Sequence, residues 1–244
     1  MQLIKYIFAI SFSIFTSYSY TQIIQSEATE VWEPEPKVVT INNNWLPSDA
    51  LVLFDGKSLI HWQKRYEDLP AEWEVKDGTM TIVPGTGDIS TKEKFGSIQL
   101  HLEYRAPVHI EGKGQGRGNS GVFLQSRYEV QILDSYQNQT YVNGQAGAIY
   151  KQYIPLVNTN KAPGEWNTYD IIFDEPVFNK DGIKVRSAYL TVFQNGILIQ
   201  NHRELLGTTE DIGFPKNLAH GKDSIVLQDH GNPVSFRNIW LRKL

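Results

Sequence analysis

A chain of 244 residues is long enough for one large β domain or two small ones, and its 41% hydrophobic and 12% aromatic content excludes a disordered or fibrous chain. With 23 basic and 27 acidic residues and a net charge of −4, and with no basic block or stripe, the composition argues against nucleic acid as a partner. The absence of cysteine excludes a disulfide framework, a Cys–zinc site and a lipid-modified N-terminal cysteine.

Residues 1–20 read as a secretory signal. Lys5 supplies the positive end, residues 6–15 an apolar run too short to span a bilayer comfortably, and Ser17 and Ser19 small residues near a cleavage point at Ser19 or Tyr20. A retained N-terminal anchor is the alternative. The expected location is the periplasm or exterior of a bacterium, with no membrane span after signal cleavage. Residues 21–49 are a polar lead-in carrying Pro34, Pro36, Pro47 and three successive asparagines, which suits an extended linker.

From residue 50 the chain reads as strands. Leu51–Phe54 is a buried strand ended by Asp55 and Gly56. Glu72–Val75 and Met80–Val83 flank Asp77-Gly78, the strongest hairpin signal in the chain. Ser97–Arg105 alternates almost without fault, with Ile98, Leu100, Leu102 and Tyr104 on one face and Gln99, His101, Glu103 and Arg105 on the other. A glycine-rich run, residues 107–118, reads as a rim loop. It lacks the Lys-Ser/Thr of a phosphate loop and opens no helix.

Two short alternating segments follow, residues 120–124 and 128–132, with Glu129 and Gln131 side by side on the polar face of the second. Residues 146–150, 167–173 and 188–193 are further strands, and Asn195-Gly196 turns the last of these into residues 197–199. Residues 203–206 can form one helical turn at most. A long loop, residues 202–222, leads to strands at 225–228 and 234–241. About a dozen strands with turns between them predict an all-β antiparallel two-sheet sandwich of jelly-roll type, as a single domain over residues 50–244.

Two carboxylates, Glu103 and Glu129, sit mid-strand on polar faces, and paired carboxylates can supply the acid and base of glycoside cleavage. The competing reading is that each only pairs with a cation. His230 follows Gln228 by two at a strand end, so both face one way, and a histidine there can serve as general base or metal ligand. No zinc spacing and no serine nucleophile elbow are present.

The segments Leu53-Phe54-Asp55-Gly56, Gly118-Asn119-Ser120-Gly121-Val122-Phe123, Tyr128-Glu129-Val130-Gln131, Gly147-Ala148-Ile149-Tyr150, Gly164-Glu165-Trp166-Asn167 and Leu227-Gln228-Asp229-His230-Gly231 stand in order. With Phe236-Arg237-Asn238-Ile239-Trp240 they resemble the 3-keto-disaccharide hydrolase family over residues 50–244. Lys151 stands where many members carry glycine, which makes it either a local surface change or a groove contact. The resemblance implies a concanavalin A/laminarinase-like fold whose concave sheet holds the ligand. It also implies glycosides bearing a ketone at C3 as substrates, made by a separate sugar 3-dehydrogenase.

For such a substrate the strand pattern nominates Glu129 and His230 as base and acid, in either order. Glu103, Asn119 and Gln131 would orient hydroxyls, and Arg105 or Gln228 would polarise the carbonyl or bind a hydroxyl. Tyr150 would stack on the sugar and Lys151 would contact it. No nicotinamide or flavin is required, while a divalent cation can be held between Glu129 and His230. A non-catalytic carbohydrate-binding module is the alternative function, and an ordinary glycosidase a third.

Overall fold

The computed structural model describes residues 25–42 and 45–244, so the expected signal sequence lies outside the described residues. The chain divides into two compact units, residues 1–38 and residues 39–244. Within the described part of the first, the only regular element is a 3-10 turn, Ser26–Thr29.

The described residues of the second unit carry fifteen strands. They are β1 (Leu51–Phe54), β2 (Trp62–Lys64), β3 (Glu74–Lys76), β4 (Thr79–Thr81), β5 (Ile89–Thr91), β6 (Ile98–Arg105), β7 (Ser120–Leu124) and β8 (Tyr128–Ile132). There follow β9 (Asn167–Asp174), β10 (Val177–Phe178), β11 (Lys184–Arg186), β12 (Tyr189–Gln194), β13 (Ile197–Glu204), β14 (Val226–Leu227) and β15 (Ser235–Lys243). Among the described residues no helix is long and apolar enough to cross a membrane.

The strands form an antiparallel sandwich. One sheet has eight strands, in the order β13-β12-β9-β6-β15-β4-β3 with β1 also paired to β15. The other has five, in the order β2-β5-β14-β7-β8, and β10 and β11 form a separate ribbon. Period-two alternation builds the core between the sheets. Leu100, Leu102 and Tyr104 of β6 and Tyr169, Ile171 and Phe173 of β9 face inward from one side. Val122 and Leu124 of β7 and Tyr128, Val130 and Ile132 of β8 face them in the same buried cluster. Each sheet therefore turns its second set of side chains away from the core, on opposite sides of the molecule.

Local signals hold where turn chemistry is strict. Asp77 and Gly78 join β3 to β4, and Asn195 and Gly196 join β12 to β13, with all four residues at positive φ as a two-residue hairpin turn requires. Gln125 and Ser126 also adopt positive φ between β7 and β8, although neither is glycine. That turn is tied down by Gln125 Nε2 donating to the Phe95 carbonyl at 3.1 Å and the Ser126 amide donating to the Ser224 carbonyl at 2.8 Å.

Residues 203–206, allowed one helical turn at most, make none, because β13 runs on through Glu204. One expectation is corrected. Residues 146–150 are no regular strand: positive φ at Gly147 and Lys151 breaks the extended backbone. The segment instead lies irregularly along the free edge of β8. The Gln131 amide donates to the Ala148 carbonyl at 2.9 Å, and the Tyr150 amide donates to the Glu129 carbonyl at 3.2 Å.

Candidate active site

On the outer face of the five-stranded sheet the register sets Phe123 opposite Glu129 and Gly121 opposite Gln131. The neighbouring strand end adds Gln228, whose amide donates to the Gly121 carbonyl at 3.0 Å. Alternation predicted a wet face here; the structure corrects that. Glu129 is only 4% exposed and Gln131 1%, because loops cover the strand. Thr209 of the loop after β13 accepts a hydrogen bond from the Glu129 amide at 3.0 Å, and Tyr150 crosses from the β8 edge.

What remains is a cavity of about 290 Å³ lined by Asn119, Phe123, Glu129, Gln131, Tyr150, Thr209, Asp211, Gln228 and His230. Six of these, Glu129, His230, Asn119, Gln131, Tyr150 and Gln228, are sequence-predicted site residues. Phe123, Thr209 and Asp211 were missed. Phe123 was legible in the alternation of β7; Thr209 and Asp211 sit in a loop that carries no period.

Glu129 has no side-chain hydrogen bond or ion pair among the described residues. A buried carboxyl without a partner resists ionisation, and here burial pushes it up to about 8. The nearby carboxylates Asp88 and Asp211 add to the rise, and the charges of Arg65 and Lys151 oppose it. Gly121 makes room for this group: a Cβ at that position would lie 2.6 Å from Glu129 Oε1.

Two amides beside Glu129 are held with an oxygen to spare. Gln115 Nε2 donates to Thr140 Oγ1 and to the Gly144 carbonyl, which leaves Gln115 Oε1 to accept from Gln131 Nε2 at 3.0 Å. Asn119 Nδ2 donates to the Gln115 carbonyl at 2.6 Å. Both side-chain orientations are thereby fixed, and Asn119 Oδ1 and Gln131 Oε1 are buried with no partner among the described residues. A buried acceptor left unpaired costs about 1–3 kcal/mol, and two of them belong to residues that line this one cavity.

The rim is a clasp. Lys151 Nζ donates to Asp211 Oδ1 at 2.7 Å and also to the Asp211 carbonyl, and it lies over the rings of Tyr141 and Tyr150. Its hydrogen bond holds the Asp211 carboxyl below its ordinary range, with a smaller contribution from His230. The Tyr150 hydroxyl meets that of Tyr141 at 2.6 Å, and burial with this contact pushes its ionisation well up. Lys151 adopts φ 58, a backbone region that favours glycine, and it is a clasp residue at the rim rather than a floor contact. His230 is exposed at the mouth and makes no side-chain hydrogen bond among the described residues.

Glu103 and Arg105 do not belong to this group. They alternate with the core residues of β6, so they leave the molecule on the outer face of the other sheet. There the two Glu103 oxygens accept from Arg237 Nε at 2.6 Å and Asn238 Nδ2 at 2.9 Å, and Arg105 lies 4.8 Å from the ring of Trp166. The expected pairing of Glu103 with Glu129 is not realised, because strand alternation sends them to opposite sides. For a metal, Glu129 and His230 share the cavity with Asp211. Among the described residues, no three or more His, Cys, Asp or Glu side chains converge as a metal-holding group.

Comparison with known proteins gives the family. Residues 49–242 match the family model described as a 3-keto-alpha-glucoside-1,2-lyase-like domain. A protein of Bacteroides thetaiotaomicron named 3-keto-disaccharide hydrolase is 27% identical over 262 residues, covering 85% of this chain and 84% of that protein. A solved structure from Parabacteroides distasonis, provisionally named a glycosyl hydrolase, is 52% identical with a TM-score of 0.87, covering 91% of this chain and 97% of that one. A second such structure from the same organism, 21% identical with a TM-score of 0.60 over 80% of this chain and 94% of its own, shares the fold.

Proposed function

The chain belongs to the 3-keto-alpha-glucoside-1,2-lyase-like family, and from that premise we propose that it cleaves the glycosidic bond of 3-keto-glycosides, including 3-keto-disaccharides. The observation that carries this reading is Glu129: a buried, unpartnered carboxyl poised at about 8, beside two amide oxygens that lack partners.

A ketone at C3 acidifies the proton on C2. Glu129 removes that proton, and the electron pair moves through C2 onto the C3 oxygen as an enolate. The enolate then re-forms the ketone with a C1–C2 double bond and expels the aglycone oxygen from C1. His230, at the mouth, delivers a proton to that leaving oxygen. Addition of water across the double bond returns a free 3-keto sugar, so the sum of the two steps is hydrolysis.

A base matched to such a step has its pKa near the working pH, and burial of Glu129 supplies that match. Asn119 Oδ1 and Gln131 Oε1 accept from sugar hydroxyls. The side-chain amide of Gln228, free of protein partners among the described residues, donates to the C3 oxygen where negative charge develops. Phe123 and Tyr150 give the ring its apolar contacts. A carboxylate pair across the scissile bond, which an ordinary glycosidase needs, is not what these residues form: Glu103 lies on the far sheet and Asp211 is held by Lys151. No nicotinamide or flavin enters this chemistry. The ketone is supplied by a separate sugar 3-dehydrogenase, and the N-terminal sequence suits a periplasmic or secreted enzyme.

The test is incubation with a 3-keto-glucoside and with its unoxidised parent, following aglycone release with and without a chelator. Release from the keto sugar alone, unaffected by chelation, is expected. Release from the parent alone would sink the reading, and chelator-sensitive release would put a cation into the site.

A further inference from the structure

A cavity larger than the one that holds Glu129 lies elsewhere on the described molecule. On the opposite side, over the eight-stranded sheet, lies a groove of about 750 Å³ whose lining includes Trp45, Asp55, Lys57, Glu103, Arg237 and Trp240. Its size falls within the roughly 300–1,000 Å³ of ordinary ligand sites.

Two features of this groove are not explained by folding alone. Trp45 is 78% exposed, yet its backbone is anchored: its amide donates to the Asn42 carbonyl at 3.0 Å, the Leu46 amide donates to Asn42 Oδ1 at 3.0 Å, and Ile41 pairs with Pro47. Trp45 itself sits at φ 58, which costs of order 1–2 kcal/mol, while its indole is presented to solvent. Trp240, on the floor, is buried against the ring of His101, and its Nε1–H has no acceptor among the described residues. An indole donor normally finds a partner when buried.

The polar groups of the groove are already neutralised. Glu103 and Arg237 pair at 2.6 Å, and Asp55 and Lys57 add one charge of each sign. An anionic ligand would find no excess of positive charge. Nor can the groove act as an acid–base site: both Glu103 oxygens are held, and His101 donates from Nδ1 to Asp170 at 2.7 Å while Asn238 approaches its Nε2 at 3.3 Å.

Aromatic faces beside fixed, charge-balanced donors and acceptors suit a neutral, hydroxyl-rich ring with apolar faces. The geometry points to a second, non-catalytic carbohydrate site on this face, with Trp45 stacking on a neutral oligosaccharide and Arg237 donating to its hydroxyls. Such a site tethers the protein to the glycan near which its small substrate is found. It stands independently of the catalytic reading, since it concerns binding of unoxidised sugar.

The full chain is titrated calorimetrically with cellohexaose, maltohexaose, laminarihexaose and glucose. At least one hexasaccharide is expected to bind saturably with one-to-one stoichiometry and more tightly than glucose. Trp45→Ala should weaken it by about tenfold or more, the loss expected of a central aromatic anchor, while melting temperature and turnover of a 3-keto-glucoside stay unchanged. Absence of saturable binding by all three hexasaccharides overturns the proposal, as does binding that survives Trp45→Ala. Binding lost in Asn119→Ala but kept in Trp45→Ala places the sugar in the other cavity and equally overturns it.

Discussion

The two outer faces of this sandwich carry the same kinds of side chain and treat them in opposite ways. Over β6 and β15, Glu103 is held by Arg237 and Asn238, and His101 by Asp170 and Asn238. Over β7 and β8, Glu129 has no such partner, and the neighbouring amides keep buried oxygens unpaired. Where both oxygens of an acid are held in this way, the acid is stabilised and has no part in proton transfer. An unsaturated face under loops raises the ionisation of its acid and keeps hydrogen-bonding capacity unused, as the proposed function requires. Residue type alone does not make an active site; the withheld partners do.

The strongest test of this contrast removes one acid from each face. Glu129→Gln is expected to lower kcat by roughly a hundred- to ten-thousand-fold, the range for loss of a general base. Glu103→Ala should leave kcat and KM alone and cost roughly 1–3 kcal/mol of stability through stranded partners. The Glu129 variant should also be more stable than the parent. Its folded value of about 8 lies above the ordinary 4.5, so the folded state holds its proton more tightly than the unfolded one. Stability of the parent therefore falls as pH rises from 4.5 to about 8 and levels beyond it. The Tm advantage of Glu129→Gln should grow across that window. Equal Tm values at pH 9 would contradict the burial argument.

Gly121→Ala comes next. The new Cβ would press on Glu129 Oε1, and misplacing a reacting group by about 1 Å can cost on the order of a hundredfold in rate. Kinetics on the purified variant, with a melting curve to confirm folding, checks this. Asn119→Ala should act more mildly, raising KM by about tenfold with kcat less affected, as expected for one lost hydrogen bond to the sugar. Its Tm should hardly move: the lost bond to the Gln115 carbonyl is offset by removal of an unpartnered Oδ1.

How much of this was legible follows from where the signals lie. The alternation of β6 and β8 was plain, as were the Asp77-Gly78 and Asn195-Gly196 turns, because period two and positive φ leave marks in residue type. Which polar face would be covered was not. Glu103 and Glu129 look alike along their strands, and the difference comes from partners distant in sequence: Arg237 for one, Thr209 and Tyr150 for the other. Loops have no period, so Thr209 and Asp211 gave no sign that they would close over β8. The unpaired oxygens were equally hidden, since they depend on the exact placement of Gln115 by Thr140 and Gly144.

The smallest expected effect is also the most specific to this chain. Lys151 occupies a left-handed position where glycine is at ease, and its charge bears on the site in two ways. It favours the ionised form of Glu129 directly, and it neutralises Asp211, whose charge disfavours that form. Lys151→Gly removes both, so each change pushes Glu129 further up. With Glu129 as base, kcat/KM climbs with pH through the value of that carboxyl, and the climb in the variant should be centred at higher pH than in the parent. Stability should change little: relief of about 1–2 kcal/mol of left-handed strain is set against the flexibility glycine gives the unfolded chain and a lost exposed ion pair worth under about 1 kcal/mol. A pH–rate profile that keeps its midpoint in Lys151→Gly would mean that the clasp shapes the rim without tuning the acid. A profile that falls through that pH in both proteins would reverse the roles, with Glu129 donating the proton and His230 accepting it.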